Sequence, residues 1–121
     1  MAGMDAVTNW IERYRGAWES NDPEQIGGLF AEDAVYFTEP FAEPWRGREE
    51  IVRQWLKHRD VPGETTFDWH PLSVTDEVAI IQGETTYPGK LYSNLWVIRL
   101  DNAGHCRQFT EWWMLHPGKE A

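Results

Sequence analysis

From Thr65 to Leu115 the chain reads as strand throughout. Four runs rich in β-branched and aromatic residues, Thr65–Val74, Val78–Tyr87, Leu91–Leu100 and His105–Leu115, are separated by Asp76-Glu77, Pro88-Gly89 and Asp101-Asn102-Ala103-Gly104. Such side chains favour extended backbone, and short Gly, Asp, Asn and Pro turns join antiparallel neighbours. The pattern predicts an antiparallel meander. A doubly wound parallel sheet would need helices between these runs, and there are none. Within the first run Phe67 and Trp69 share one parity, while Leu72 and Val74 share the other. A parity switch across His70-Pro71 predicts a bulge or bend.

The first half reads differently. Val7, Trp10, Ile11, Tyr14, Ala17 and Trp18 fall on one face of a 3.6-residue period, with Glu12, Arg13, Arg15 and Glu19 opposite, so a helix is predicted to end near Ser20-Asn21. Asp22 is a good N-cap, Pro23 suits the first helical position and Gln25 completes a D-x-x-Q capping box. A short second helix with Ile26, Leu29 and Phe30 as its apolar face follows, weakened by Gly27 and Gly28. Ala34–Thr38 is a strand ended by Glu39-Pro40, and a loop containing Pro40 and Pro44 runs to Gly47. A third helix over about Arg48–Arg59 turns Ile51, Val52, Trp55 and Leu56 to the core and stops at Pro62-Gly63. The predicted order is α-α-β-α-β-β-β-β, an α+β domain in which three N-terminal helices pack on a curved, cone-shaped antiparallel sheet. Its hollow interior is the place for a ligand.

Composition narrows the function. The 121 residues predict one domain over 1–121, and 41% hydrophobic with 26% charged residues is ordinary for a globular chain. Eleven basic residues against 20 acidic ones repel phosphate backbones and anionic lipid, so neither nucleic acid nor membrane is an expected partner. No apolar run spans a bilayer, no basic segment followed by an apolar one opens the chain, and the lone Cys106 fits a reducing compartment; a cytoplasmic protein is expected. His58, His70, His105 and His116 lack metal-ligand spacing, and no phosphate-cradling glycine loop or nucleophile elbow occurs, so no metal and no cofactor are expected. The eight tryptophans are the unusual count. They fill a core or line a pocket for a flat apolar ligand.

Several segments carry a family likeness: Tyr14-Arg-Gly-Ala-Trp-Glu-Ser-Asn-Asp22, Leu29-Phe-Ala-Glu-Asp-Ala34, Glu39-Pro40, Pro44-Trp-Arg-Gly-Arg-Glu49, the Arg99–Gly104 turn and Glu111-Trp-Trp113. Over nearly its whole length the chain resembles the nuclear-transport-factor-2-like superfamily. The likeness is to its SnoaL-like branch, which includes ketosteroid isomerases and limonene epoxide hydrolases. The fold hosts many chemistries, and some members have none. In ketosteroid isomerases a helix-1 tyrosine precedes the Asp opening the second helix at the spacing of Tyr14 and Asp22. Their base is the Asp of an Asp-Pro pair, where Glu39-Pro40 stands here. Their second oxyanion donor, a protonated Asp, is replaced by Trp96, whose indole N–H is the remaining donor. SnoaL-type cyclases use a late aspartate, to which Glu111 is nearest; their partner histidine has no counterpart, since Trp96 and Val97 stand there. An epoxide-hydrolase set could be assembled from Glu39, Arg99 and Glu111, but Arg99 has the parity opposite to Trp96.

Each candidate has a plain structural role beside the chemical one. Glu39 is an exposed residue before a turn or a general base at the cavity mouth; Tyr14 is core or an oxyanion-hole donor. Glu111 faces solvent or the cavity, and its shared parity with Phe109 and Trp113 favours the cavity. Trp18, Trp55 and Trp96 are candidate lining groups, Tyr92 and Asn94 share the parity of Trp96, and Trp45 lies in the loop over the mouth. The sequence therefore points to a small apolar, ring- or carbonyl-containing ligand handled by cofactor-independent acid/base chemistry: isomerisation, cyclisation or hydration. Glu39, Tyr14 and Glu111 would be the catalytic residues. The alternative is a non-catalytic binding or assembly module. The resemblance implies a homodimer formed through the outer sheet face, where Arg99, Arg107 and Thr85 are expected.

Overall fold

The computed structural model describes residues 3–118. The first two residues, and the polar tail expected after Gly118, lie outside them. Helix α1 (Met4–Ser20) buries the predicted stripe from Val7 to Trp18. It ends at Asn21, whose φ of 54° is left-handed and whose N–H bonds the Ala17 carbonyl. Helix α2 (Pro23–Gly27) is capped by the Asp22 carboxylate, which accepts from the Glu24 N–H at 3.2 Å. The expected reciprocal bond from Gln25 to the cap is relayed instead. Ser20 Oγ accepts from the Asp22 N–H at 3.1 Å and donates to Gln25 Oε1 at 2.6 Å.

Leu29 and Phe30 do not continue the helix past the two glycines. Phe30 opens strand β1 (Phe30–Phe37), four residues before the predicted start at Ala34. The proline-bearing loop holds a further short strand, β2 (Trp45–Arg46), which pairs with Val35 and Tyr36. Helix α3 (Arg48–Lys57) buries Ile51 and Trp55. Strands β3 (Thr66–Val74), β4 (Ala79–Tyr87), β5 (Lys90–Leu100) and β6 (Cys106–Leu115) form the predicted meander. The β4–β5 turn is Pro88-Gly89, with Gly89 at φ 85°, a conformation glycine adopts without penalty. The register shift in β3 falls between Pro71 and Ser73, beside the predicted irregularity. Because β3 is an edge strand, the missing proline N–H costs little.

The curved sheet is unclosed and ordered β2-β1-β6-β5-β4-β3. One pair corrects the antiparallel expectation: β1 runs parallel to β6. Parallel neighbours need a long crossover, and everything between β1 and β6 supplies it. The sheet is therefore mixed. Along β5, Asn94, Trp96, Ile98 and Leu100 are buried towards the helices, so Leu95, Val97 and Arg99 lie on the outer face. A register shift near Arg99 lets both Cys106 and Phe109 point inward, after which Phe109, Glu111 and Trp113 share the inner parity. Arg107 is exposed, as expected. Thr85 is not on the outer face: it is buried, and its hydroxyl donates to Asn94 Oδ1 at 2.7 Å. Its place in the strict alternation of β4, with Ala79, Ile81 and Gly83, sets that direction.

The core is an aromatic cluster. Trp10 packs on Tyr14, Phe30, Trp96 and Phe109 at centroid distances from 5.2 to 6.5 Å. Its indole N–H and the Cys106 N–H both donate to the Leu29 carbonyl, at 2.9 and 2.8 Å. That single acceptor ties α1, the α2–β1 junction and β6 together. Among the described residues no helix is long and apolar enough to cross a membrane.

Candidate functional site

Solid packing stops at Tyr14. Beyond it lies a cavity of about 460 Å³ bounded by α1, α3, the loop after α3 and strands β1, β2, β4, β5 and β6. Tyr14 and Trp18, one helical turn apart on α1, form its floor with Trp55 of α3. Tyr36 comes from β1, Trp45 from β2, Tyr87 from β4, Tyr92 and Asn94 from β5, and Glu111 and Trp113 from β6. Aromatic walls of this kind suit a flat or cyclic ligand.

The polar centre is a carboxylate held by two phenols. Glu111 Oε1 accepts from Tyr36 at 2.7 Å and from Tyr14 at 3.3 Å, and the two phenol oxygens lie 3.1 Å apart. Both phenols converge on Oε1, and Oε2 takes no hydrogen bond from the described residues. Trp96 stands directly opposite Glu111 across the β5–β6 ladder. Its fully buried indole N–H lies near enough to favour the ionised carboxylate, yet among the described residues it has no hydrogen-bond partner. It is thus a spare donor beneath the site.

Burial raises the Glu111 pKa above the ordinary carboxylate value. The Tyr36 hydrogen bond, the nearby Trp96 indole N–H and the Tyr14 hydrogen bond oppose that rise, and the charge of Asp60 adds to it. Burial, then the charge of Glu111, raises both Tyr14 and Tyr36 well above the usual phenol value, so both remain proton donors. Burial also pushes the Cys106 thiol up to about 12, which leaves it unreactive. A carboxyl whose folded pKa is raised contributes most below its unfolded pKa, and that contribution is lost as pH rises through the higher folded value. Urea unfolding of wild type and Glu111→Gln from pH 4.5 upwards is therefore expected to show the variant gaining stability relative to wild type as pH rises. A difference that stays flat with pH would contradict the buried-carboxylate assignment.

The structure brings most of the sequence candidates together. Tyr14 and Glu111 share a hydrogen bond, and Trp18, Trp45, Trp55 and Asn94 line the same cavity. Trp96 lies under the wall, not on it. Glu39 is at the mouth and exposed, and among the described residues its carboxylate accepts no hydrogen bond. Tyr36, Asp60, Tyr87 and Trp113 are cavity residues that the sequence did not single out. The shared parity of Ala34 and Tyr36 in a predicted strand was a usable signal for Tyr36; the Asp60 loop has no periodicity to read. Asp60 Oδ2 accepts from Trp18 Nε1 and from the Tyr87 hydroxyl, both at 2.8 Å. Burial, then the Asp60 hydrogen bond, raises the Tyr87 pKa.

No curated protein matches the chain. Solved structures share its fold at low identity. An NTF-2-like protein of unknown function from Burkholderia xenovorans aligns over 98% of this chain and 91% of its own, with TM-score 0.72 and 16% identity. A steroid delta-isomerase from Pseudomonas aeruginosa covers 95% and 82%, with TM-score 0.63 and 16% identity. An LEH-like epoxide hydrolase of M. tuberculosis covers 91% and 84%, with TM-score 0.61 and 12% identity. The SnoaL-like domain model matches residues 11–113, most of the chain. With the helix-then-meander order and the hollow sheet, that match places the chain in the SnoaL-like domain family.

Proposed function

We propose that this protein binds a small, largely apolar, ring- or carbonyl-containing molecule in the cavity and moves a proton on it without a cofactor. The observation that carries the reading is the Glu111–Tyr36–Tyr14 cluster, a carboxylate of raised pKa with two protonated phenols at the bottom of an aromatic chamber. A carboxylate with its pKa moved up toward the working pH is a better general base. In the proposed step Glu111 takes a proton from the carbon beside a carbonyl, and the electron pair left behind delocalises onto the carbonyl oxygen. Tyr14 and Tyr36, released as Glu111 becomes neutral, donate to that oxygen. Returning the proton to a different carbon completes an isomerisation. Trp96 Nε1, buried without a partner among the described residues, is the further donor on the Glu111 side. The proton carrier is assigned to Glu111 and not to Glu39, because Glu39 is exposed and makes no bond to this cluster.

The test needs no known substrate. A panel of cyclic ketones is incubated in deuterium oxide, and exchange beside the carbonyl is followed by NMR. Wild type is expected to accelerate exchange of at least one ketone, Glu111→Gln to lose about a hundredfold of that rate, and Glu39→Gln to keep it. Loss in Glu39→Gln alone would move the base to the mouth. Ketones that raise thermal stability without any exchange would favour the non-catalytic binding reading. Trp112 and Met114 are exposed, and the β5–β6 register sets them against Leu95 and Ser93 of the outer face, the surface proposed to pair with a second copy. A monomer in sedimentation equilibrium would remove that pairing.

A further inference from the structure

We infer that the ligand carries a basic nitrogen and is held as a cation beside Asp60, with its ring or carbonyl part directed at Glu111. The inference rests on the cavity being a ligand site and adds the charge class of what it takes.

The first observation is the placement of Asp60. Two donors from different elements, Trp18 Nε1 on α1 and the Tyr87 hydroxyl on β4, converge on its Oδ2 at 2.8 Å. Asn21 Nδ2 holds the Asp60 carbonyl at 3.2 Å, so the backbone is anchored as well. Oδ1 takes no hydrogen bond from the described residues. The carboxylate is thus fixed against a cavity wall with one oxygen free.

The second observation is the missing counter-charge. Among the described residues Arg15 pairs with Glu19, and His105 lies 3.9 Å from Asp101; neither contact involves a cavity acid. Arg59, next to Asp60 in sequence and also lining the cavity, is exposed and donates to the Leu56 carbonyl. His58 sits on the Gln54 carbonyl and stacks on Trp45. Among the described residues Asp60, Glu111 and Glu39 therefore face the same space with Arg59 as the one full positive charge on its lining. A neutral ligand that displaced water would leave the Asp60 charge hydrogen-bonded but without a counter-ion, and an anion would meet three acids; only a cation improves the balance.

The third observation is that three rings of the lining already have cations beside them. Lys90 Nζ lies 5.2 Å from the Tyr87 ring and 5.6 Å from Tyr92, and the Arg15 guanidinium lies 4.3 Å over Trp18. Neither Lys90 nor Arg15 lines the cavity. The ring quadrupole attracts an ammonium, and a desolvated setting strengthens the attraction.

Three soluble probes on one scaffold test the inference: 2-phenylethylamine, 2-phenylethanol and phenylacetate, each titrated into the intact protein at neutral pH by calorimetry. The amine is expected to bind about tenfold or more tightly than the alcohol, and phenylacetate to bind most weakly. Asp60→Asn keeps an acceptor for Trp18 and Tyr87 and is expected to bring the amine to within about twofold of the alcohol. If the alcohol binds wild type as tightly as the amine, the cation class is wrong while the cavity stays a ligand site. If none of the three binds, both readings fall. The wild-type series decides the question even if Asp60→Asn does not fold.

Discussion

Trp10→Ala is expected to lower the unfolding free energy by about 4 kcal/mol, the usual cost of truncating a fully buried tryptophan. Trp10 has no exposed surface and touches four other rings, three of them, Phe30, Trp96 and Phe109, on the sheet. Rigid rings held by strand pairing cannot close over the gap, so a cavity term adds to the lost transfer energy. The hydrogen bond is a smaller part of the effect. When Trp10 Nε1 is removed, the Leu29 carbonyl still accepts from the Cys106 N–H, so no acceptor is orphaned. Trp10→Phe, which keeps most of the apolar volume, is expected to cost well under half as much. Against a total of roughly 5–15 kcal/mol for a domain of this kind, Trp10→Ala is a large loss, visible as a displaced midpoint in urea. A loss below about 1 kcal/mol would mean that the aromatic cluster repacks freely.

How much of this core was legible depended on the period of each segment. The α1 stripe repeats over three turns, and all six predicted residues are buried. The β5 alternation is as clear, and it alone sets Arg99 on the face opposite Trp96. Turn chemistry did the rest for the meander, since Pro88-Gly89 leaves the backbone little choice. The misses occur where a tertiary partner overrides local pattern. Phe30 continues the apolar face of α2 in sequence, but its place is taken by pairing with Cys106. Nothing local announces that β1 and β6 run parallel, because that neighbour relation is set by a connection spanning more than half the chain. Trp45–Arg46 is too short and too flanked by proline to show a strand period at all.

The site was legible to the same extent. Glu111 could be aimed inward because it shares parity with two aromatic residues on a regular strand, and Tyr14 lay on the helix stripe. Glu39 was named by likeness to an Asp-Pro pair, not by periodicity. In the structure β1 ends at Phe37, and Glu39 follows in irregular backbone that leaves it exposed. Asp60 has neither pattern nor likeness to mark it; only the meeting of α1, β4 and the loop after α3 shows that its carboxylate is fixed. Thr85 shows the reverse error. It was expected outside by likeness to the superfamily's dimer face, whereas the alternation of its own strand puts it inside.

Gly83→Val is the second change expected to have a large effect, about 3 kcal/mol of destabilisation. Gly83 is buried in β4, opposite Trp69 on one side and Asn94 on the other. A Cβ there would lie 2.6 and 2.7 Å from two carbons of the Phe67 ring and 3.1 Å from the Asp68 carbonyl oxygen. The carbonyl belongs to the β3 backbone and cannot swing aside. The ring cannot retreat easily either, since it stacks on Trp96 at 4.7 Å and packs on Trp18 at 5.7 Å. Alanine would recover about 0.5–1 kcal/mol of the backbone freedom that glycine loses in a strand, which offsets part of its clash. Valine adds two methyls to the same collision and is expected to cost clearly more. The displaced ring would push Trp96, which stands opposite Glu111, and Trp18, whose N–H holds Asp60. Gly83→Val is therefore expected to shift the urea midpoint and to weaken ligand binding together, although residue 83 touches neither acid. A valine variant as stable as wild type would show that β3 can move away from β4 at this point, and the fixed positions assigned to the cavity walls would have to be given up.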